Sequence, residues 1–127
     1  MNVFVISSCA ILREGILAMI SKHKDISIGF AGEKVEQARF PMRANKVDIL
    51  LLDINDDNEE ELKLATEISS NRDETKLMIL DFYERKERLG KALTCGAYGY
   101  VSGKVKQEDI INAMKDIYSG KKIFCLA

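Results

Sequence analysis

Two stretches of this chain, Ile49-Leu50-Leu51-Leu52 and Leu77-Met78-Ile79-Leu80, are apolar without alternation. Such runs mark strands buried on both faces, as in a parallel sheet covered by helices. Val3-Phe4-Val5-Ile6, Ile26-Ser27-Ile28-Gly29-Phe30 and Tyr98-Gly99-Tyr100-Val101 are further short strand candidates. Helical patterns separate the five. Ile11, Leu12, Gly15, Ile16, Met19 and Ile20 recur at three- and four-residue steps, as do Leu62, Ala65 and Ile68. Leu89, Ala92 and Leu93 form a third stripe, and Ile110, Ile111, Met114 and Ile117 a fourth. Between Gly32 and Val47, Pro41 interrupts a helical pattern at a cost of about 3 kcal/mol in a helix interior, so a short or broken helix is expected there. The β-α unit thus repeats five times, and right-handed crossovers turn it into a doubly wound parallel sheet of the α/β class. Chemistry in such sheets sits at the carboxyl ends of the strands. Those ends read Ser7-Ser8-Cys9, Asp53, Asp81 and Ser102-Gly103-Lys104.

A length of 127 residues allows one domain, and 46% hydrophobic residues supply its core. Nineteen basic residues against 20 acidic give a net charge of −1, which supplies no field for holding nucleic acid. No apolar run approaches the roughly 18 residues of a membrane helix, and the first residues lack a signal peptide's basic start. Three cysteines, Cys9, Cys95 and Cys125, share no C-x-x-C spacing, which argues against a zinc site or a disulfide framework. A cytoplasmic protein with reduced thiols is expected.

Arg13-Glu14-Gly15, Asp48-Ile49-Leu50-Leu51-Leu52-Asp53, Gly96-Ala97-Tyr98-Gly99-Tyr100 and Ser119-Gly120 appear in an order and spacing that resembles a response-regulator receiver domain. The resemblance is to the CheY-like receivers of the NarL/FixJ branch, which precede a LuxR-type helix-turn-helix. It implies a (βα)5 flavodoxin-like fold with five strands in the order 2-1-3-4-5. It also implies a domain over 1–122, with 123–127 as a tail or the start of a linker to a helix-turn-helix that lies outside these 127 residues.

The resembled family carries two acidic residues after strand one to hold Mg²⁺, and here those positions read Ser7 and Ser8. The Thr or Ser at the end of its strand four is Asp81 here, and its Lys three residues after the switch aromatic Tyr100 is Gly103, with Lys104 one step later. Asp53, the phosphoacceptor position, and Tyr100 remain, so the chain resembles a degenerate pseudo-receiver. Phosphoryl transfer to a carboxylate needs a divalent ion and a neutralising cation. Serine hydroxyls are poor Mg²⁺ ligands, so no cofactor or metal is expected. A phosphoryl group of charge near −2 about 5 Å from the Asp81 carboxylate would be repelled by about 6 kcal/mol at an effective dielectric of 20.

Several features admit two readings. Asp53 is either a phosphoacceptor or a retained carboxylate hydrogen-bonded to Ser8 or paired with Lys104. Lys104 either swings back into the missing lysine role or is an exposed residue before the last helix. Asp81 either joins Asp53 in a carboxylate pair or is a solvated loop carboxylate, the favoured reading. The run from Asp53 to Glu61 imitates a calcium loop but has Asn58 at its turn-glycine position and Leu64 at its twelfth, which leaves an acidic first helical turn favoured by the helix dipole. Cys9, where strand one meets helix one, is either a redox thiol or a small buried hydrophobe. Its four-residue offset from Arg13 excludes a phosphatase-type loop. Cys95 reads as core, Cys125 as tail, and His23 as a solvated histidine beside Lys22 and Lys24.

The sequence therefore reads as an atypical receiver domain of a transcriptional response regulator. It is not an enzyme, and it controls an attached or partner effector through conformation or dimerisation without ordinary aspartyl phosphorylation. The alternatives are a phosphorylated receiver using Asp53 and Lys104, and a redox or small-ligand sensor using Cys9. The resemblance implies a histidine kinase as phosphodonor, but the sequence assigns none. DNA contact belongs to the helix-turn-helix, and no membrane contact is expected. Ile110, Ile111, Met114, Ile117 and Tyr118 form the candidate face of a weak homodimer.

Overall fold

A computed structural model of the chain describes residues 1–54, 59–83, 90–92, 94–102 and 105–126, the side chains of 125 and 126 excepted. β1 (Asn2–Ile6), β2 (Ser27–Gly32), β3 (Ile49–Asp53), β4 (Lys76–Asp81), β5 (Gly99–Ser102) and β6 (Ile123–Leu126) form one sheet in the order β2-β1-β3-β4-β5-β6. Every pairing is parallel. The expected order 2-1-3-4-5 is present, with a sixth strand added. Residues 123–126 are therefore sheet rather than the expected tail. A four-residue apolar segment pairs when the preceding helix returns it beside an open strand edge, and β5 offers that edge.

α1 (Ala10–Ser21) and α4 (Gln107–Tyr118) cover one face of the sheet, where Val3, Val5, Ile49, Leu51, Met78, Leu80 and Val101 meet Ile16, Ile20, Met114 and Ile117. The other face carries α2 (Arg39–Arg43), α3 (Glu59–Ser70) and the helical residues around Ala92, packed on Phe4, Ile6, Leu50, Leu52, Ile79 and Tyr100. Odd and even strand residues thus feed opposite cores, as the pleat requires. The interrupted helix is as expected: a 3₁₀ turn over Val35–Ala38 runs into five-residue α2, where Pro41 occupies the first turn and forfeits no intrahelical bond.

The glycines leading into β5 and at its first position have distinct reasons. Gly96 sits at φ +83, a left-handed conformation that a β-carbon disfavours. A β-carbon at Gly99 would land on Ile117 Cδ1 and within 3.2 Å of Met78 Cγ, so the last helix closes on β5 only over glycine. The α1 stripe is narrower than its sequence pattern: Ile16, Met19 and Ile20 are buried, whereas Ile11 is 81% exposed because the first turn of α1 overhangs the sheet. Ile110, Ile111, Met114 and Ile117 are all buried between α4 and the sheet. That removes four of the five residues of the expected dimer face and leaves Tyr118, 49% exposed. Leu89 and Leu93 lie outside the described residues.

Candidate functional site

The carboxyl ends of β1 and β3 build the first half of the site. Ile6 is in register with Leu52, so Ser7 follows at the level of Asp53. Both share the parity of Val3, Val5, Ile49 and Leu51, so both lean to the α1 side. The Ser7 hydroxyl donates to Asp53 Oδ2 at 2.7 Å, with Ser7 fully buried and Asp53 5% exposed. Ser7 is held in turn: its N–H donates to the Gly32 carbonyl at 3.0 Å, and Arg13 Nη1 donates to the Ser7 carbonyl at 2.6 Å. The Cys9 N–H donates to Ser7 Oγ at 3.3 Å. Asp53 thus takes a hydrogen bond from Ser7, where Ser8 or Lys104 was expected; Ser8 is exposed because the chain turns outward before α1, and Lys104 lies outside the described residues. Arg13, noted in the sequence within a motif and for its offset from Cys9, braces this loop. Its spacing from Ser7, six residues across a strand-helix junction, was the available signal.

The second half lies between β4 and β5. Asp81 is fully buried, which corrects the expectation of a solvated loop carboxylate. The reason is that β4 runs through Asp81, which pairs with Ser102, and that donors await it inside. Tyr100 Oη donates to Asp81 Oδ2 at 2.5 Å, and the Tyr83 N–H donates to Asp81 Oδ1 at 3.1 Å. A buried carboxylate is tolerated when hydrogen bonds replace its water. Strand parity explains the match. Asp81 falls on the face of Ile79, and Tyr100, paired with Ile79, falls on the same face one diagonal step away. Tyr100 is itself fully buried. By the same rule Asp53, opposite Leu80, belongs to the other face, which disfavours the Asp53–Asp81 carboxylate pair and weakens the direct repulsion expected at Asp53.

Residues 3–115 match the family model of the response regulator receiver domain. The chain belongs to that family. It is 28% identical over 97% of its length to the Fimbriae Z protein of Salmonella typhimurium, covering 59% of that protein. With the oxygen regulatory protein NreC of Staphylococcus haemolyticus it shares 26% identity over 95% of its length, covering 56% of that protein. The chain therefore spans little more than half of the curated relatives it matches. Its fold superposes with a TM-score of 0.80 on a DNA-binding response regulator of the LuxR family from Staphylococcus aureus, at 18% identity over 92% of this chain and 98% of that one. Kinship with the LuxR-type NarL/FixJ branch agrees with the sequence reading.

Within this receiver the residues do not fit Mg²⁺. Ser7, which the family resemblance puts at a metal-ligand position, spends its hydroxyl on Asp53, Ser8 is exposed, and Asp81 accepts from Tyr100 and Tyr83. Among the described residues no three His, Cys, Asp or Glu side chains gather as metal ligands. One carboxylate and a hydroxyl do not make the hard octahedral oxygen set that Mg²⁺ demands. Gly103 and Lys104 lie outside the described residues, as do residues 55–58 of the acidic run. The described remainder of that run, Glu59, Glu60 and Glu61, forms the first turn of α3 as expected, and Glu61 Oε2 accepts from the Val35 N–H at 2.8 Å.

Cys9 stands at the N-cap of α1, half-buried rather than a fully covered hydrophobe, and its side chain makes no capping bond. Cys95 is half-buried against the second core, and Cys125 lies in β6 rather than in a tail. His23 follows α1, half-exposed between exposed Lys22 and Lys24. Among the described residues no helix is long and apolar enough to cross a membrane.

Proposed function

We propose that this receiver governs a transcriptional effector through a conformation held by its own side chains, without ordinary Mg²⁺-dependent phosphorylation of Asp53. The hydrogen bond from Tyr100 to Asp81, 2.5 Å long between two fully buried groups, carries the reading. In the family the end of strand four offers a hydroxyl that can turn toward a phosphoryl group. Here it offers an acceptor that turns the aromatic inward whatever the state of Asp53. Ser7 in place of a metal-binding carboxylate supports the same view, since no divalent ion then gathers the transferring charge. The effector, the DNA-binding helix-turn-helix that the family resemblance implies, is placed outside this chain, which covers 59% and 56% of two relatives. A cytoplasmic setting follows from that role.

Intact-mass measurement after incubation with a small phosphodonor and Mg²⁺ tests the reading. The wild-type chain and its Asp53→Asn variant should both stay unmodified. Near-complete addition of one phosphoryl group to the wild type, absent in Asp53→Asn, would overturn it.

A further inference from the structure

The two edges of the sheet are built differently. β2, at one edge, carries Gly29 and Gly32, is flanked by Lys24-Asp25 and Glu33-Lys34, and shifts register against β1 between Val3 and Phe4. Charges, glycines and register irregularities keep a natural edge from recruiting another strand. β6, at the other edge, holds no glycine and no register shift, and its flanking charges, Lys121 and Lys122, stand only before its first residue. Its sequence Ile123-Phe124-Cys125-Leu126 is apolar throughout, and its register with β5 is unbroken from Gly99↔Ile123 to Ser102↔Leu126. Continuous apolar character belongs to interior strands such as β3 and β4. Among the described residues, no strand lies beyond β6.

The Ile123 N–H donates to the Tyr98 carbonyl at 2.8 Å, so Ile123 faces β5. By strand alternation the N–H and C=O groups of Phe124 and Leu126 face the open edge. We propose that β6 of a second copy occupies this edge, running antiparallel across a two-fold axis and joining two sheets into one. The arrangement is self-complementary. Pairing Phe124 of each copy with Leu126 of the other uses both outward-facing residues of the strand, and it sets the two Cys125 residues opposite each other on the axis. It also sends Lys121 and Lys122 of the two copies to opposite ends, so no like charges meet. β2 of a second copy fits less well, because its glycines and register shift disfavour added pairing and because a β6-to-β2 contact would not close. The inference is independent of the Asp81–Tyr100 reading, which concerns the sheet interior.

Amide exchange of the 127-residue chain followed by NMR at about ten micromolar and about one millimolar tests it, weak small interfaces falling in that range. The Phe124 and Leu126 amides should exchange at least tenfold more slowly at the higher concentration, while Ile123 and Cys125 stay protected at both. Opposed Cα atoms at such an antiparallel position lie about 4.5 Å apart, within disulfide reach. Oxidation by copper-phenanthroline should therefore yield a crosslinked dimer that survives Cys9→Ser and Cys95→Ser but not Cys125→Ser. Leu126→Pro, which removes only an outward N–H, should abolish both signals and leave the circular dichroism of the monomer unchanged. A monomer at every concentration, or a dimer in which the Phe124 and Leu126 amides exchange as fast as in the dilute sample, overturns the proposal.

Discussion

Removing the Tyr100 hydroxyl tests whether the buried pair holds the domain's conformation. Tyr100→Phe deletes one oxygen from a fully buried side chain and leaves Asp81 Oδ2 without the donor that stood 2.5 Å away. A hydrogen bond to a carboxylate contributes about 1.5–3 kcal/mol, and an orphaned buried acceptor adds its own penalty, so Tyr100→Phe should destabilise by about 2–3 kcal/mol. Asp81→Ala should cost at least as much, because the Tyr83 amide also loses its acceptor. The double variant should then be less destabilised than the sum of the singles by about 2 kcal/mol, the coupling between the groups. The chain has no tryptophan, so urea unfolding is best followed by far-ultraviolet circular dichroism. With a slope of about 2 kcal/mol per molar, Tyr100→Phe should lower the midpoint by about 1 M. A coupling below about 0.5 kcal/mol, the level of an exposed pair, would refute the reasoning. Hydroxyl and carboxylate would then both be served by water, and Tyr100 would not be fastened inward.

Arg72 donates to the Met42 and Asn45 carbonyls at 2.7 and 2.9 Å and to Thr75 Oγ1 at 3.1 Å, joining the α2 turn to the turn before β4. Arg72→Ala should lower thermal stability by about 2–3 kcal/mol, and Arg72→Lys should restore less than half, since an ammonium cannot span the three acceptors. Gly99→Ala should destabilise by about 1–3 kcal/mol through overlap with Ile117 Cδ1, and adding Ile117→Val, which removes that atom, should recover part of the loss in the same unfolding assay. The Asp25 carboxyl is held below its ordinary range first by a backbone hydrogen bond and then by Lys115, 3.5 Å away. A depressed folded-state value stabilises above the unfolded pKa and is lost as pH falls through the folded one, so Lys115→Ala should move the Asp25 NMR titration upward only part of the way. An unmoved midpoint would mean that the ion pair does not form in solution.

Strand β3 was legible because its apolar run is uninterrupted, and Asp53 at its end followed from the general rule that chemistry gathers at the carboxyl ends of parallel strands. The broken helix before it was legible from Pro41. The burial of Asp81 was not. A charged residue after an apolar run reads as the return to solvent, and what reverses that reading is a hydroxyl 19 residues away on the next strand. Choosing between Ser7 and Ser8 as the partner of Asp53, 46 residues off, required the β1–β3 register, which the sequence does not state. β6 was missed for a related reason: an apolar tetrapeptide gains meaning only from the open edge it returns to. The last helix misled in the opposite direction, since a wide apolar stripe suggested a spare face while Gly99 lets that helix sink far enough to bury it.

The two departures from the family pattern fit together as one physical solution. Each buried carboxylate at the strand ends takes a hydroxyl from the neighbouring strand: Asp53 of β3 from Ser7 of β1, and Asp81 of β4 from Tyr100 of β5. These bonds tie strand pairs on opposite faces of the sheet. Returning a single position to the family residue is therefore not neutral. A carboxylate at position 7 would face Asp53 without a cation between them, and a threonine at position 81 would replace the charged acceptor of Tyr100 Oη with a neutral hydroxyl. Only concerted replacement would recover the ion-dependent arrangement. The present residues instead tie each strand-end carboxylate to a hydroxyl of the neighbouring strand, which is the arrangement required if the inward aromatic is not to wait for phosphate.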